Sequence, residues 1–233
     1  MRPRICVPIA AREPPEIPAM IEKAEAAGAD LIEIRLDYLD LNPSEANKIL
    51  GDLAGSSSVP LIATNREYSQ GGLRPQDEES RVQVLIHAAE AGFSYVDVEL
   101  GTGDLAALID EVRSYGSKPI VSFHDFKGTP SLGEMERIVK SEVDAGAEVC
   151  KLVTAARRIE DNIRCLLLTR KMSRVTRIVC FAMGRKGLIS RVLSPVFGGY
   201  FTFASLSEDS QTAPGQPTIE HLRSLYSDLG VYD

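Results

Sequence analysis

Two residues of this 233-residue chain, a nucleophilic amine and a proton carrier, stand out for chemistry near neutral pH. Lys151 lies inside an otherwise apolar run, Glu148-Val149-Cys150-Lys151-Leu152-Val153, where burial disfavours the ammonium form. An amine whose pKa is drawn down from about 10.4 toward neutrality can attack a carbonyl and form an imine. The opposing reading is a lysine snorkelling off a strand edge. His124 closes a second run, Val121-Ser122-Phe123-His124-Asp125-Phe126. Imidazole titrates near neutral pH and can carry protons for such an amine. His87 and His221 fall in helix-type stretches (84–89 and 218–222) and read as partly exposed helix-face residues.

Other polar residues gather where apolar runs end. Glu33 and Arg35, two apart in Leu31-Ile32-Glu33-Ile34-Arg35, share one face of a strand and can pair with each other and still contact a polar ligand; an outer-face ion pair is the blander reading. Arg66 sits just past the run 61–64 in a polar loop that continues to Gly72. Asp97 and Glu99 are again two apart, forming either a buried polar layer or a strand end turning to solvent. Met183, at the head of Gly184-Arg185-Lys186-Gly187-Leu188-Ile189-Ser190-Arg191, can pack against a bound ring or simply fill the core, and the arginines beside it can hold an anion. A polar stretch, 205–217, exceeds a minimal connection and reads as a binding loop or lid, with a functionless surface loop as the alternative.

The elements that must position these residues follow from periodicity. Eight short runs rich in Val, Ile and Cys recur at 5–9, 31–35, 61–64, 95–100, 119–123, 148–153, 177–181 and 199–204, separated mostly by segments with apolar residues at helical spacing. Gly28, Gly92, Gly116 and Gly146 fall where helix ends need a positive φ. The repeat is strand, helix, glycine, strand, with no linker and no change of composition. It predicts a single (β/α)8 barrel over 1–233, with active-site residues at the C-terminal ends of the strands. No G-x-G-x-x-G follows the first strand, which removes the main support for a dinucleotide-binding fold. Two prolines, Pro14 and Pro15, restrict the start of the first helix to its first turn or before it.

Composition narrows the partners. The chain is 44% hydrophobic and 25% charged, as in ordinary globular proteins. With 26 Lys+Arg against 33 Asp+Glu its net charge is -7, which argues against nucleic acid or an anionic membrane as partner. No apolar stretch is long enough to span a bilayer or form a signal-peptide core. Cys6, Cys150, Cys165 and Cys180 lack C-x-x-C spacing and a nearby histidine, so free buried thiols are expected, in keeping with a reducing cytoplasm, and no metal site is predicted.

In order and spacing, Glu33-Ile34-Arg35-Leu36-Asp37, Arg66, His124-Asp125-Phe126, Lys151, Met183-Gly184, Ile189-Ser190-Arg191, Val196-Phe197-Gly198 and Ala213-Pro214-Gly215-Gln216 resemble type I 3-dehydroquinate dehydratase, the Schiff-base-forming enzyme of the shikimate pathway. The resemblance runs almost from end to end. It implies a (β/α)8 barrel that dehydrates 3-dehydroquinate to 3-dehydroshikimate without metal, nucleotide or other cofactor. Lys151 would form the imine. His124 would assist its formation, remove a C2 proton and protonate the departing C1 hydroxyl. Arg191 and Gln216 would hold the substrate carboxylate end, with Thr212 in the same loop; Glu33, Arg35 and Arg66 would hold its hydroxyl groups and organise the mouth, and Met183 would pack beside the lysine.

Two positions depart from the family pattern. Gln70 stands where a glutamate usually bonds the histidine, with Glu67 as a candidate substitute, and Thr212 stands where a serine is common. The rival functions are a class I Schiff-base aldolase of the transaldolase kind and a non-catalytic dehydroquinate sensor. The run 199–205 lacks the glycine-rich phosphate turn of the former, and a binding module has no need of a buried amine. A homodimer is compatible with the family, although the sequence displays no apolar exterior stripe to support one.

Overall fold

Strands that are largely apolar, with one-sided helices between them, require a sheet covered on both faces. The computed structural model describes residues 2–39 and 43–232, with backbone alone at 43–45. Its strands are β1 Ile5–Ile9, β2 Leu31–Arg35, β3 Leu61–Thr64, β4 Tyr95–Glu99, β5 Lys118–Asp125, β6 Val149–Ala155, β7 Arg177–Met183 and β8 Thr202–Phe203. The helices that follow them are α1 Ile17–Ala26, α2 Pro43–Ala54, α3 Glu78–Glu90, α4 Leu105–Ser114, α5 Leu132–Asp144, α6 Asp161–Met172, α7 Leu188–Leu193 and α8 Ile219–Asp228. All strand pairs are parallel, in the order β7-β6-β5-β4-β3-β2-β1-β8. The two ends meet where the Tyr200 N–H donates to the Ile178 carbonyl at 2.7 Å, giving the expected (β/α)8 barrel.

Strand alternation divides the core in two. Cys6, Leu31, Ile62, Tyr95, Ile120, Val149, Val179, Phe201 and Phe203 fill the barrel lumen, while Ile5, Val7, Ile9, Ile32, Ile34 and Val96 pack outward among helices including α1, α3 and α8. The same period of two carries inward-facing positions up each strand: Leu31, Glu33 and Arg35 on β2, Tyr95, Asp97 and Glu99 on β4, Ile120, Ser122 and His124 on β5, Val149, Lys151 and Val153 on β6. Apolar residues thus close the bottom of the lumen and polar ones open its top.

Gly28, Gly92, Gly116 and Gly146 have φ of 84, 101, 85 and 97°, as their places after helices predict. The first helix begins as a 3-10 turn at Pro14–Glu16 and becomes α-helical only at Ile17. Three strands run two residues past their expected ends: β5 to Asp125, β6 to Ala155 and β7 to Met183. The parallel ladder carries them on, through His124↔Val153 and Ala155↔Met183. β8 shrinks to two residues. Contrary to the sequence reading, α6 does carry an apolar exterior stripe: Ile163 and Leu167, with Ile159 just before the helix, are each more than half exposed. Their four-residue spacing was hidden because α6 buries Cys165 and Leu168 on its opposite side. No helix among the described residues is long and apolar enough to cross a membrane.

Candidate active site

The polar top of the lumen opens into a cavity at the C-terminal ends of the strands. All nine residues singled out from the sequence line it: Glu33, Arg35, Arg66, His124, Lys151, Met183, Arg191, Thr212 and Gln216. Lys151 is 4% exposed, with Nζ 2.7 Å from Asp97 Oδ2, 3.3 Å from Glu33 Oε1 and 4.6 Å from the Phe203 ring centre. Two carboxylates thus stand at hydrogen-bond range of this buried amine. The sequence did not reveal this ion-pair network.

Asp97 and Glu99 form a buried polar layer. Asp97 accepts from Arg66 Nη2 at 2.8 Å and from the Ser122 hydroxyl at 2.6 Å; Glu99 accepts from Arg66 Nη1 at 2.7 Å and from Arg81 Nη1 at 2.6 Å. Burial pulls the Asp97 carboxyl up, but the charges of Arg66 and Lys151 outweigh it and hold the group well below the usual carboxylate range. Arg66, buried, is held charged by Asp97 and Glu99.

Glu33 and Arg35 share a face, as their spacing predicts, but do not pair with each other. Glu33 takes Lys151 and the Thr64 hydroxyl, the latter at 3.0 Å. Arg35 instead forms a bidentate pair with Asp37, at 2.8 and 2.7 Å, and also donates to the Gly71 carbonyl. Side chains two apart on a twisted strand diverge toward different neighbours, and Asp37, in the turn after β2, brings its carboxylate back to the guanidinium.

The register sets Lys151 opposite Ser122 and His124 opposite Val153, so the imidazole stands one layer nearer the mouth than the amine. Its Nδ1 has no hydrogen-bond partner. Burial, and then the charges of Arg66 and Lys151, push the imidazole well below its ordinary pKa, so His124 is a neutral base at neutral pH. Gln70 does not touch the ring: its Oε1 accepts the His124 backbone N–H at 2.8 Å. Glu67 is no substitute for the missing carboxylate, since its side chain takes the Ser69 hydroxyl and does not line the cavity.

Arg191, on α7, is 1% exposed and lies 4.2 Å from the Phe181 ring centre. Its Nη2 has no hydrogen-bond partner, it forms no ion pair among the described residues, and burial lowers its pKa to about 9. An unpaired buried guanidinium facing a cavity is a receptor for an anion. Above it lies the loop 205–217, seated on the end of β7 by Gly184 N–H to the Pro214 carbonyl at 3.1 Å. Gly215, at φ 74°, permits that approach, because a Cβ there would stand 2.8 Å from the Gly184 carbonyl carbon. Within the loop, the Gln216 side-chain oxygen accepts from the Thr212 N–H at 3.0 Å and from its hydroxyl at 3.3 Å. Met183 is 9% exposed beside Phe181 and Val153.

Sequence reasoning did not assign roles to Asp97, Ser122 or Thr64. Their signal was present: each is a polar residue at an inward position of a strand otherwise filled with apolar side chains.

Catalytic groups of (β/α)8 enzymes sit at this end of the barrel, and the fold and cavity together define a barrel enzyme. Over residues 5–233 the sequence matches the model of the type I 3-dehydroquinase family, and the chain belongs to that family. It is 38% identical over 225 residues to the bifunctional chloroplastic 3-dehydroquinate dehydratase/shikimate dehydrogenase of Arabidopsis thaliana, covering 96% of this chain but 36% of that longer protein. It is 37% identical over 206 residues to a 3-dehydroquinate dehydratase of Dehalococcoides mccartyi, covering 88% of each. A solved type I 3-dehydroquinate dehydratase from Clostridium difficile, crystallised with covalently modified comenic acid, superposes with a TM-score of 0.89 at 27% identity, over 98% of this chain and 92% of that one.

Proposed function

We propose that this enzyme dehydrates 3-dehydroquinate to 3-dehydroshikimate, in the shikimate pathway, through an imine on Lys151 with His124 as acid and base. The observation that carries the reading is the Lys151 amine, buried at the floor of the cavity one layer beneath an imidazole with a free ring nitrogen. Neutral His124 takes a proton from the Lys151 ammonium, and the free amine adds to the substrate ketone. The ketone oxygen leaves as water, and a carbon–nitrogen double bond with a cationic nitrogen remains. His124 then removes the C2 proton, the electron pair passes to that nitrogen, and the resulting enamine expels the C1 hydroxyl, which leaves as water with the proton from His124. Hydrolysis of the imine returns the lysine.

Arg191 fits the substrate carboxylate, since it brings a desolvated guanidinium with no carboxylate of its own, and Gln216 and Thr212 lie in the loop above that end. Glu33, Arg35 and Arg66 present polar groups to the ring hydroxyls, and Met183 packs beside the lysine. Covalently modified comenic acid in the Clostridium difficile relative is consistent with a nucleophile in this family.

The test is to incubate the protein with 3-dehydroquinate, add borohydride, and locate the reduced adduct by intact and peptide mass. An adduct on Lys151 is expected, and its absence while substrate is still bound overturns the covalent mechanism. Lys151→Ala should lower kcat by roughly 10⁴-fold or more, as loss of other covalent nucleophiles does, with binding weakened but measurable.

A further inference from the structure

We propose that Asp97 is a catalytic residue: the counter-ion of the cationic imine nitrogen on Lys151, stabilising that charge before the C2 proton is removed and again once the C1 hydroxyl has departed. The proposal rests on the Schiff-base reading above and extends it to a residue on β4. Asp97 is fully buried, and its Oδ2 lies nearest to the reacting nitrogen, at 2.7 Å against 3.3 Å for Glu33 Oε1. The remaining bonds fix it from two sides. Arg66 Nη2 donates to the same oxygen at 2.8 Å, and the Ser122 hydroxyl donates to Oδ1 at 2.6 Å.

The balance of imine formation explains why a fixed carboxylate belongs there. An ammonium and a ketone give an iminium and one water: the carbon–oxygen double bond is replaced by carbon–nitrogen, and two of the three N–H protons depart on the oxygen. Nζ gives up its charge with the proton lost to His124 and carries it again once the imine has formed, with one N–H remaining to donate. Asp97 can keep that bond without moving or changing protonation, whereas the longer contact to Glu33, whose Oε1 also holds the Thr64 hydroxyl, can be released.

Asp97 is poorly suited to be the base. Two flanking cations stabilise its ionised form, so a proton shed by Lys151 passes to neutral His124 instead. When His124 removes the C2 proton and the nitrogen loses its charge, Arg66 continues to balance Asp97. The carboxylate therefore favours the cationic imine over the neutral one across the working pH range.

Borohydride reduces the cationic imine in preference to the neutral form, so trapping as a function of pH reads the counter-ion directly. Wild type, Asp97→Asn and Glu33→Gln would each be trapped with 3-dehydroquinate at about pH 6 and about pH 9, on either side of the range in which an imine lacking its counter-ion loses its proton. Wild type should trap at both. Asp97→Asn should trap near wild type at the acid point and at least about 10-fold less at the alkaline one. Its kcat should fall on the order of 100-fold, with KM within several-fold of wild type. Glu33→Gln, whose trapping can fall at both points because it also loses a substrate contact, should trap at the alkaline point as well as it does at the acid one.

Equal trapping by Asp97→Asn and wild type at both pH values overturns the proposal, as does loss of the alkaline trapping in Glu33→Gln alone. If Asp97→Asn does not fold, Asp97→Glu, which keeps the charge, must retain the alkaline trapping; its collapse would also overturn the assignment. Absence of any adduct in wild type marks a different failure, that of the Schiff-base mechanism itself.

Discussion

Arg191 has the least balanced environment in the cavity. Its guanidinium is buried, has no acidic partner among the described residues, and keeps its charge against desolvation with only the Phe181 ring face nearby. Lys151, Arg66 and Arg35, by contrast, each meet a carboxylate within 2.8 Å. Such an imbalance costs stability in the free enzyme and is relieved when an anion binds. Arg191→Met, similar in bulk but neutral, should therefore separate function from folding. Loss of a charge-assisted contact worth about 2–3 kcal/mol lowers kcat/KM by roughly 30–150-fold, mainly through KM. The melting temperature should hold or rise. Steady-state kinetics beside a thermal melt check both, and an unchanged KM with a lowered melting temperature would assign Arg191 to packing instead.

At the scale of elements, the segment following β3 is the joint that ties the site together. Arg35 reaches the Gly71 carbonyl, Asp37 accepts from the Leu73 N–H at 3.0 Å, and Gln70 holds the backbone of His124 on β5. Gly71 makes the fit, because at φ 91° a Cβ there would stand 2.8 Å from Phe126 Cζ. Three strands are thus braced by one short segment, but none of these contacts brings a carboxylate to the imidazole. Burial first, and then the cations Arg66 and Lys151, push the His124 pKa well below its usual 6.5, so the acid limb of kcat/KM should lie below that value. Gln70→Glu can keep the backbone bond while placing a negative charge beside the ring. It should raise the imidazole pKa by roughly one to three units and move the acid limb upward by as much. A pH–rate profile that does not move would show that Gln70 acts on the backbone alone.

At the scale of the whole molecule, stability carries a buried acid that the proposed chemistry does not use. Glu142 on α5 is fully buried, with the Cys150 thiol and the Lys151 backbone as its polar neighbours. Burial, reinforced by the charge of Asp97, pushes its pKa well above the ordinary 4.5, so the folded protein holds a proton there. In the unfolded chain the same group ionises near 4.5, so above that pH unfolding releases a proton. The stability contributed by the protonated group is complete below about pH 4.5 and declines as pH rises toward the folded-state pKa. Glu142→Gln removes this dependence. Its melting temperature should exceed that of wild type by more at pH 8 than at pH 5, at about 2–4 °C per kcal/mol for a chain of this size. A constant difference between the two would show that Glu142 is ionised in the fold.

The sequence by itself determined the succession of strands and helices, the barrel class and the membership of the cavity, because those depend on local periodicity and on which residues end each strand. Glu33, Arg35, His124 and Lys151 were legible since a period of two fixes the face a strand residue presents, and polar residues at inward positions are conspicuous. Partnerships were not legible. That Lys151 meets Asp97 from 54 residues away, that Glu33 turns to Lys151 while Arg35 turns to Asp37, and that Gln70 grips the main chain of His124 all depend on strand register and barrel closure. Electrostatics followed the same division. Burial of the lysine was foreseeable from its apolar neighbours, but whether its charge would be suppressed or matched was decided only when β2, β4 and β6 came together, since Coulomb energy depends on distances that local sequence does not contain.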